Sequence, residues 1–364
     1  MSDPLESTPA ADGYRMPAEW EGHAGCWMAW PERTDTWRDA AGPAREAYAE
    51  VATAIAEAEP VTVGASAGQY EQARARLPRS VRVVELATDD AWMRDIGPSF
   101  VVDDRGGRRG VDWEFNAWGG LLGGLYAPWD QDDLVARQVL ELEVADRYRA
   151  PLVLEGGSIH VDGEGTVLTT EQCLLNPNRN PHLDRAQIER LVLDHTGAEK
   201  LIWLGDGVID DETDGHIDNL ACFIRPGVVA LTWTDDEADP QHAVSLDARR
   251  RLEATVDARG RSLEVHLIGQ PGPLALTDAE AAGVEAETGA KPRVGGSRLA
   301  ASYVNFYIAN GRIVAPLLDP RTDDAALEAL AGLFPDRAVV GVPAREILLG
   351  GGNIHCITQQ VPSV

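Results

Sequence analysis

The sequence predicts a single α/β domain in which a strand, strand, helix, strand unit recurs around a common axis. Three observations predict it. Five stretches place a polar residue directly ahead of a short apolar strand, at Ser99, Ser158, Asn219, Asn305 and Asn353. Turn-forming residues at 104–107, 162–165, 226–227 and 310–311 return a second strand in the first four, since Gly-containing turns of this kind close hairpins. Between the hairpins run amphipathic helical patterns, most of them followed by a further apolar strand, so the unit repeats about every 60 residues.

In chain order, residues 1–13 are small and polar and read as a flexible leader. A strand over 26–30, a helix over 44–58 and a strand over 61–63 follow. The hairpin opening at Ser99 precedes a helix over 131–142. The one at Ser158 precedes a helix over 183–195 and a strand over 201–204, and the one at Asn219 a helix over 246–258 and a strand over 263–268. After Asn305 come a helix over 323–333 and a strand over 338–342, and the copy at Asn353 runs off the C-terminus. No Pro/Ser-rich linker interrupts the series, so 14–364 reads as one catalytic domain.

Length and composition are those of an ordinary soluble protein with a large core: 364 residues, 44% hydrophobic and 25% charged. The net charge of -27 repels nucleic acid and anionic lipid and favours small cations, although solubility alone also accounts for it. Cys26, Cys173, Cys222 and Cys356 form no CxxC pair and no metal-ligand spacing, which predicts reduced thiols and a cytoplasmic protein. No apolar run is long enough for a membrane span, and the N-terminus lacks the basic and apolar regions of a signal peptide.

The repeat also selects the polar residues that matter. Just before the polar residue of successive copies stand Asp95, then Glu155, then His216 with Asp218, then Tyr303, then the glycines that lead to Cys356. Singly each has a plain reading: Asp95 and Glu155 as turn caps, His216 as a core histidine, Asp218 as a partner of loop amides, Cys356 as a buried thiol. At equivalent points of one repeat they read as a site. Cys356 is then the nucleophile, His216 the neighbouring acid and base, and Glu155 the group that orients His216. Two further carboxylates would repel a developing oxyanion, but Asp95 and Asp218 suit a guanidinium, whose paired donors match carboxylates in a fork.

Several long motifs carry a resemblance to the agmatine deiminases, a branch of the guanidino-group-modifying enzymes. They are Met16 to Trp20, Asp89 to Pro98, Trp113 to Gly120, Glu155 to His160, Asp211 to Asp218 and Gly350 to Gln360, in that order along nearly the whole chain. The resemblance implies a five-bladed α/β propeller of pseudo-symmetric repeats around a central active site. It implies hydrolysis of agmatine to N-carbamoylputrescine and ammonia through a covalent amidino-thioether on Cys356, with no cofactor and no metal. By position it gives His216, Glu155, Asp95 and Asp218 the roles above. Within the acidic run ahead of His216, Glu212 and Asp214 are the expected contacts to the substrate amine. Trp92 and Trp118 are expected to wall the pocket, and Gly351 and Gly352 to let the flat cation approach. Residues 119–124 are a possible lid, and a homodimer is the expected assembly.

The competing expectations are a peptidyl-arginine or free-arginine deiminase, a metal-dependent hydrolase using Glu155, His160, His216 and Asp218, and a non-catalytic binder of polyamines. Residues 234–241 and 277–294 match the family least, and their loops are left open.

Overall fold

In the computed structural model, which describes residues 3–287 and 289–364, the strands form five separate mixed sheets. Four follow one plan, in which the first two strands are antiparallel and the third runs parallel to the second. Their strands are Ser99–Val102, Arg108–Glu114 and Asp146–Val153; His160–Val161, Thr166–Thr170 and Lys200–Leu204; Ala221–Arg225, Val228–Trp233 and Glu264–Gly269; and Tyr307–Ala309, Arg312–Leu317 and Ala338–Pro343. A hairpin needs only a tight turn, and Gly227 and Gly311 supply it at φ of 74° and 70°, where a side chain would be strained. The parallel step needs a crossover, made by the helices Val135–Leu142, Arg185–Thr196, Pro240–Glu253 and Asp323–Leu333.

The fifth sheet joins the two ends of the chain. Gln359–Pro362 pairs antiparallel with His23–Ala29, which pairs in parallel with Val61–Ala65, which in turn pairs with Arg82–Glu85. The copy that runs off the C-terminus and the unit that opens the chain are therefore one sheet, with the helix Gly42–Ala56 as its crossover. That helix buries Tyr48, Val51 and Ile55, each worth about 1.5–3 kcal/mol when fully removed from water.

Three expectations change. Residues 3–13 of the leader are packed: Leu5 N–H donates to the Arg147 carbonyl, and the short helix Pro9–Asp12 lets Asp12 accept from Arg109 and Tyr148; residues 1 and 2 lie outside the described residues. The third crossover helix starts at Pro240, because Asp239 caps it by accepting from Gln241 N–H. Its polar Gln241 and Ser245 are buried and bonded to each other, which hides the apolar periodicity of its first turns. The strand Asp146–Val153 was not anticipated, since three of its first four residues are charged. Arg149 pairs with the fully buried Asp112 at 2.6 Å, and Arg147 binds the same carboxylate. Within 277–294, Asp278–Ala282 is a helix with a Thr277/Glu280 capping box.

Candidate active site

Each first strand is entered through one tight turn, and these turns carry the polar side chains. Asp95 lies in the helical turn Met93–Ile96, Glu155 precedes the turn Gly156–Ser158, and His216 and Asp218 open Ile217–Leu220. Asn305 stands just ahead of Tyr307–Ala309, and Cys356 just ahead of Gln359–Pro362. The polar residues that mark the repeat pin these turns. Ser158 Oγ donates to the Glu155 carbonyl at 2.6 Å, Asn305 donates to Asn219 at 3.0 Å, and Asn353 accepts from the Ile354 amide. All five expected catalytic residues are buried, none more than 5% exposed.

Gly157 marks the point where they meet. A Cβ built on it would lie 2.7 Å from His216 Nδ1, 2.9 Å from Asp218 Oδ2 and 2.9 Å from Asp95 Oδ1. Three polar atoms from two repeats therefore face the same small space, against a glycine of a third. Gly157 N–H also donates to Asp95 Oδ1 at 2.8 Å, and Trp118 Nε1–H donates to Asp95 Oδ2 at 2.9 Å. Cys356 Sγ lies 3.4 Å from Asp218 Oδ2 and receives the Asn305 Nδ2 donor at 3.2 Å. His216 Nδ1 and Asp218 Oδ1 are buried and make no hydrogen bond among the described residues.

The electrostatics separate the roles. Burial works against ionised Glu155, but Arg179, donating from Nε at 2.7 Å, and His216, with Nε2 at 3.3 Å, bring its carboxyl down to about 2. Burial likewise opposes a charged His216, yet Asp95, Cys173 and Glu155 outweigh it and hold the ring well above its ordinary range. Burial pushes Asp95 up to about 6, with His216 pulling it down and Asp218 pushing it up. Burial also acts to raise Asp218, but the His355 hydrogen bond and charge leave it below the usual carboxylate range. Burial first, then the charges of Asp218 and Asp95, push the Cys356 thiol well up. The sulfur thus holds its proton until a positive charge arrives between the two carboxylates.

The outer residues divide. Trp118 hydrogen-bonds Asp95, and Trp92 stacks on Trp37 with centroids 5.0 Å apart while Asp90 accepts from both indoles. Gly352 packs so closely on Trp92 that a Cβ would overlap the ring, and the same atom would lie 3.1 Å from Cys356 Cβ. Gly351, at φ 110°, and Glu212 line a neighbouring cavity of about 550 Å³. Glu212 is bound there by Arg293 and faces Lys291 at 3.6 Å. Asp214, expected at the substrate amine, instead accepts from Arg179 and Asn178, both at 2.8 Å. In the 119–124 loop, Gly120–Gly123 is one helical turn with Leu121 and Leu122 pointing outward.

Sequence reasoning named Asn305 as a repeat marker but gave it no role. It passed over Arg179, which carried no pattern, and His355, although it adjoins Cys356. The four residues of the metal reading do not come together. His160 lies with Glu19 and His355, and His216 with Glu155 and Cys173. An arginine is paired with the carboxylate of each group, Arg94 with Glu19 and Arg179 with Glu155, supplying the charge that a metal would bring.

A family model for the Porphyromonas-type peptidyl-arginine deiminases matches residues 15–362. The agmatine deiminase of Pseudomonas aeruginosa is 60% identical over 365 residues, covering 100% of this chain and 99% of that protein. That of Stutzerimonas stutzeri is 59% identical, covering 99% and 98%. The solved agmatine deiminase of Enterococcus faecalis superposes with a TM-score of 0.97 at 47% identity, covering 100% of both chains.

Proposed function

The chain belongs to the Porphyromonas-type peptidyl-arginine deiminase family, and from that premise we propose that it hydrolyses the guanidino group of agmatine to N-carbamoylputrescine and ammonia. The family model alone leaves agmatine, free arginine and peptidyl-arginine open. Identity near 60% over the full length to agmatine deiminases supports agmatine.

One observation carries the chemistry: Asp95, Asp218 and His216 Nδ1 converge on Gly157 while Asp218 also meets the Cys356 sulfur. A guanidinium between Asp95 and Asp218 offsets the two charges that hold the thiol up, so the substrate itself promotes ionisation of its nucleophile, whose proton is released to solvent as the cation binds and is regained when the product leaves. The thiolate attacks the guanidino carbon and forms a tetrahedral adduct. His216, protonated and held by Glu155, gives its proton to one amino group, the C–N bond breaks, and ammonia leaves an amidino-thioether on Cys356. Neutral His216 then takes a proton from water, whose hydroxide adds to the same carbon; the C–S bond breaks and the ureido product departs. Overall, guanidinium and one water become a ureido group and ammonium.

The five like sheets, each entered from the site, support their arrangement as blades of a five-bladed α/β propeller within one domain. The same reading takes Trp92, Trp118, Gly351 and Gly352 as the walls around the cation and Glu212 as the amine contact. It includes a cytoplasmic location, supported by four unpaired buried cysteines, and a homodimer, to be checked by sedimentation. The deciding experiment is ammonia release from agmatine, arginine and an arginyl peptide, before and after thiol alkylation and in Cys356→Ser. Turnover of agmatine, lost in both treatments, is expected; preference for arginine, or steady-state activity in Cys356→Ser, overturns it.

A further inference from the structure

Behind the site lies a second buried polar cluster that shares only Asp218 with the mechanism above. His355 Nδ1 is 2.9 Å from Asp218 Oδ2, and its Nε2 is 2.9 Å from Glu19 Oε1. Arg94 Nη1 donates to the same Glu19 oxygen at 3.3 Å, and Arg94 N–H donates to the Cys356 carbonyl at 3.1 Å. His160 Nε2 faces Glu19 Oε2 at 3.6 Å, and His160 Nδ1 accepts from Phe223 N–H. Glu19, Arg94, His160, Asp218 and His355 are all at most 4% exposed.

We propose that His355 is a positioning residue for the reaction: clamped between Glu19 and Asp218 as an imidazolium, it fixes Asp218 Oδ2 at the point where that oxygen meets both the Cys356 sulfur and the space beside Gly157. Ionised carboxylates only accept, so a ring bonded to one at each nitrogen carries a proton on both. Charge agrees. Glu19 and Asp218 bring two negative charges and Arg94 one positive, so a neutral His355 would leave a buried excess charge that burial penalises heavily. His160 does not fill that place, because its Nδ1 accepts from the Phe223 backbone amide and its Nε2 stands 3.6 Å from Glu19 and bonds no second carboxylate. The direction of the His355 shift is consistent: burial and Arg94 lower it, Glu19 and Asp218 raise it, and the balance lies above the ordinary range. Of the other titratable groups near the two carboxylates, the thiols of Cys222 and Cys356 are pushed well up and stay neutral, while His216 and Asp95 face Asp218 together from the reaction side, a cation and an anion that offset each other.

The consequence lies at the neighbouring residue. His355 and Cys356 are adjacent, and the His355 amide is held by the Asn305 side chain at 2.9 Å. One imidazolium therefore anchors both the clamp and the strand of chain that carries the nucleophile, where an error of about an ångström costs roughly 100-fold in rate. His355 touches neither the reacting carbon nor the leaving nitrogen, so its effect passes through Asp218.

The inference rests on agmatine hydrolysis as proposed above, and its test has one arm independent of turnover. In the ligand-free protein with ¹⁵N-labelled histidine, both ring nitrogens of His355 are expected to be protonated at pH 7.5; one unprotonated nitrogen overturns the proposal, whatever the substrate. In the activity arm, His355→Gln keeps a donor toward Glu19 and loses the one toward Asp218. Its kcat/KM for agmatine should fall about 10- to 100-fold, the range for a lost bond to a charged group. The acid limb of its pH profile, set by Asp95 in the wild type, should steepen and move to higher pH, because Asp218 loses the cation that keeps it ionised and then takes up a proton alongside Asp95. His355→Asn, with a donor toward Asp218, should recover part of both. A purely structural role would lower the melting temperature and leave the acid limb in place, and that result overturns the proposal. Absence of agmatine turnover in the wild type would instead count against the hydrolysis reading.

Discussion

Asn305 Nδ2 donates to Cys356 Sγ at 3.2 Å, so the sulfur is held by an amide from one repeat and faces a carboxylate from another. The amide donor is among the influences that pull the thiol down against burial, Asp218 and Asp95. Removing it leaves the Asn353 backbone hydrogen bond to act against those raising influences without the amide's help. Asn305→Ala should therefore slow alkylation of Cys356 at pH 8 and reduce kcat by about 10-fold, the order expected for one hydrogen bond to a developing thiolate. Unchanged alkylation and unchanged kcat would show that the amide only packs.

Gly157→Ala tests the convergence itself. The backbone at Gly157 is not in the left-handed region, so the added methyl costs little locally. Its Cβ would nevertheless lie within 2.9 Å of His216 Nδ1, Asp218 Oδ2 and Asp95 Oδ1, displacing at least one of them. We expect a folded protein whose kcat/KM drops by about 100-fold or more, since misplacement of about an ångström has that effect. A variant with wild-type kinetics would mean that the three groups do not have to meet at this point.

Much of this site was legible because chemistry-bearing residues recur at equivalent positions of a repeat. Asp95, Glu155, His216, Asp218 and Cys356 could be set side by side before any contact was known. Arg179, His355 and Glu19 were not legible, since their roles consist of tertiary pairings: Arg179 with Glu155 and Asp214, His355 with Glu19 and Asp218. The bond between Asp214 and Arg179 was hidden for the same reason, because an acidic run in sequence does not say which member turns inward to a buried arginine. In the fold, Pro240–Glu253 and Asp146–Val153 differ from expectation where buried polar or paired charged residues interrupt the apolar period. The junction of the two chain ends in one sheet is a long-range pairing that local pattern does not encode.

The titrations predict that activity and stability part company below neutral pH. Asp95, raised by burial to about 6, must be ionised to bind a guanidinium, so kcat/KM should fall as pH drops through about 6. Its effect on folding has the opposite sign. A carboxyl raised in the folded state binds its proton more tightly there than in the unfolded chain, so its stability contribution is lost as pH rises through about 6 and regained below it. His216, also raised, likewise contributes stability below its ordinary value, and Glu155, lowered to about 2, contributes a constant amount between pH 5 and 7. From these groups the melting temperature should hold or rise from pH 7 to 5 while kcat/KM declines. A melting temperature that falls in step with activity would contradict the assignment of the acid limb to Asp95.

Glu212 separates recognition of the two ends of the substrate. It lines the cavity beside Gly351 and pairs with Arg293, whose Nη2 also donates to the Gly350 carbonyl at 2.7 Å. An incoming primary amine has to take over that carboxylate, so Glu212 should contribute to binding of agmatine without taking part in the chemistry at Cys356. Glu212→Gln removes the charge and keeps the shape. The expected result is a KM for agmatine raised about 10-fold, the lower end of the range for a lost bond between charged groups, with kcat little changed because ground-state and transition-state binding weaken together. An alkylguanidine of the same length without the amine should show no such change between wild type and variant. Equal losses for both substrates would place Glu212 in the support of Gly350 and Gly351 and not at the amine.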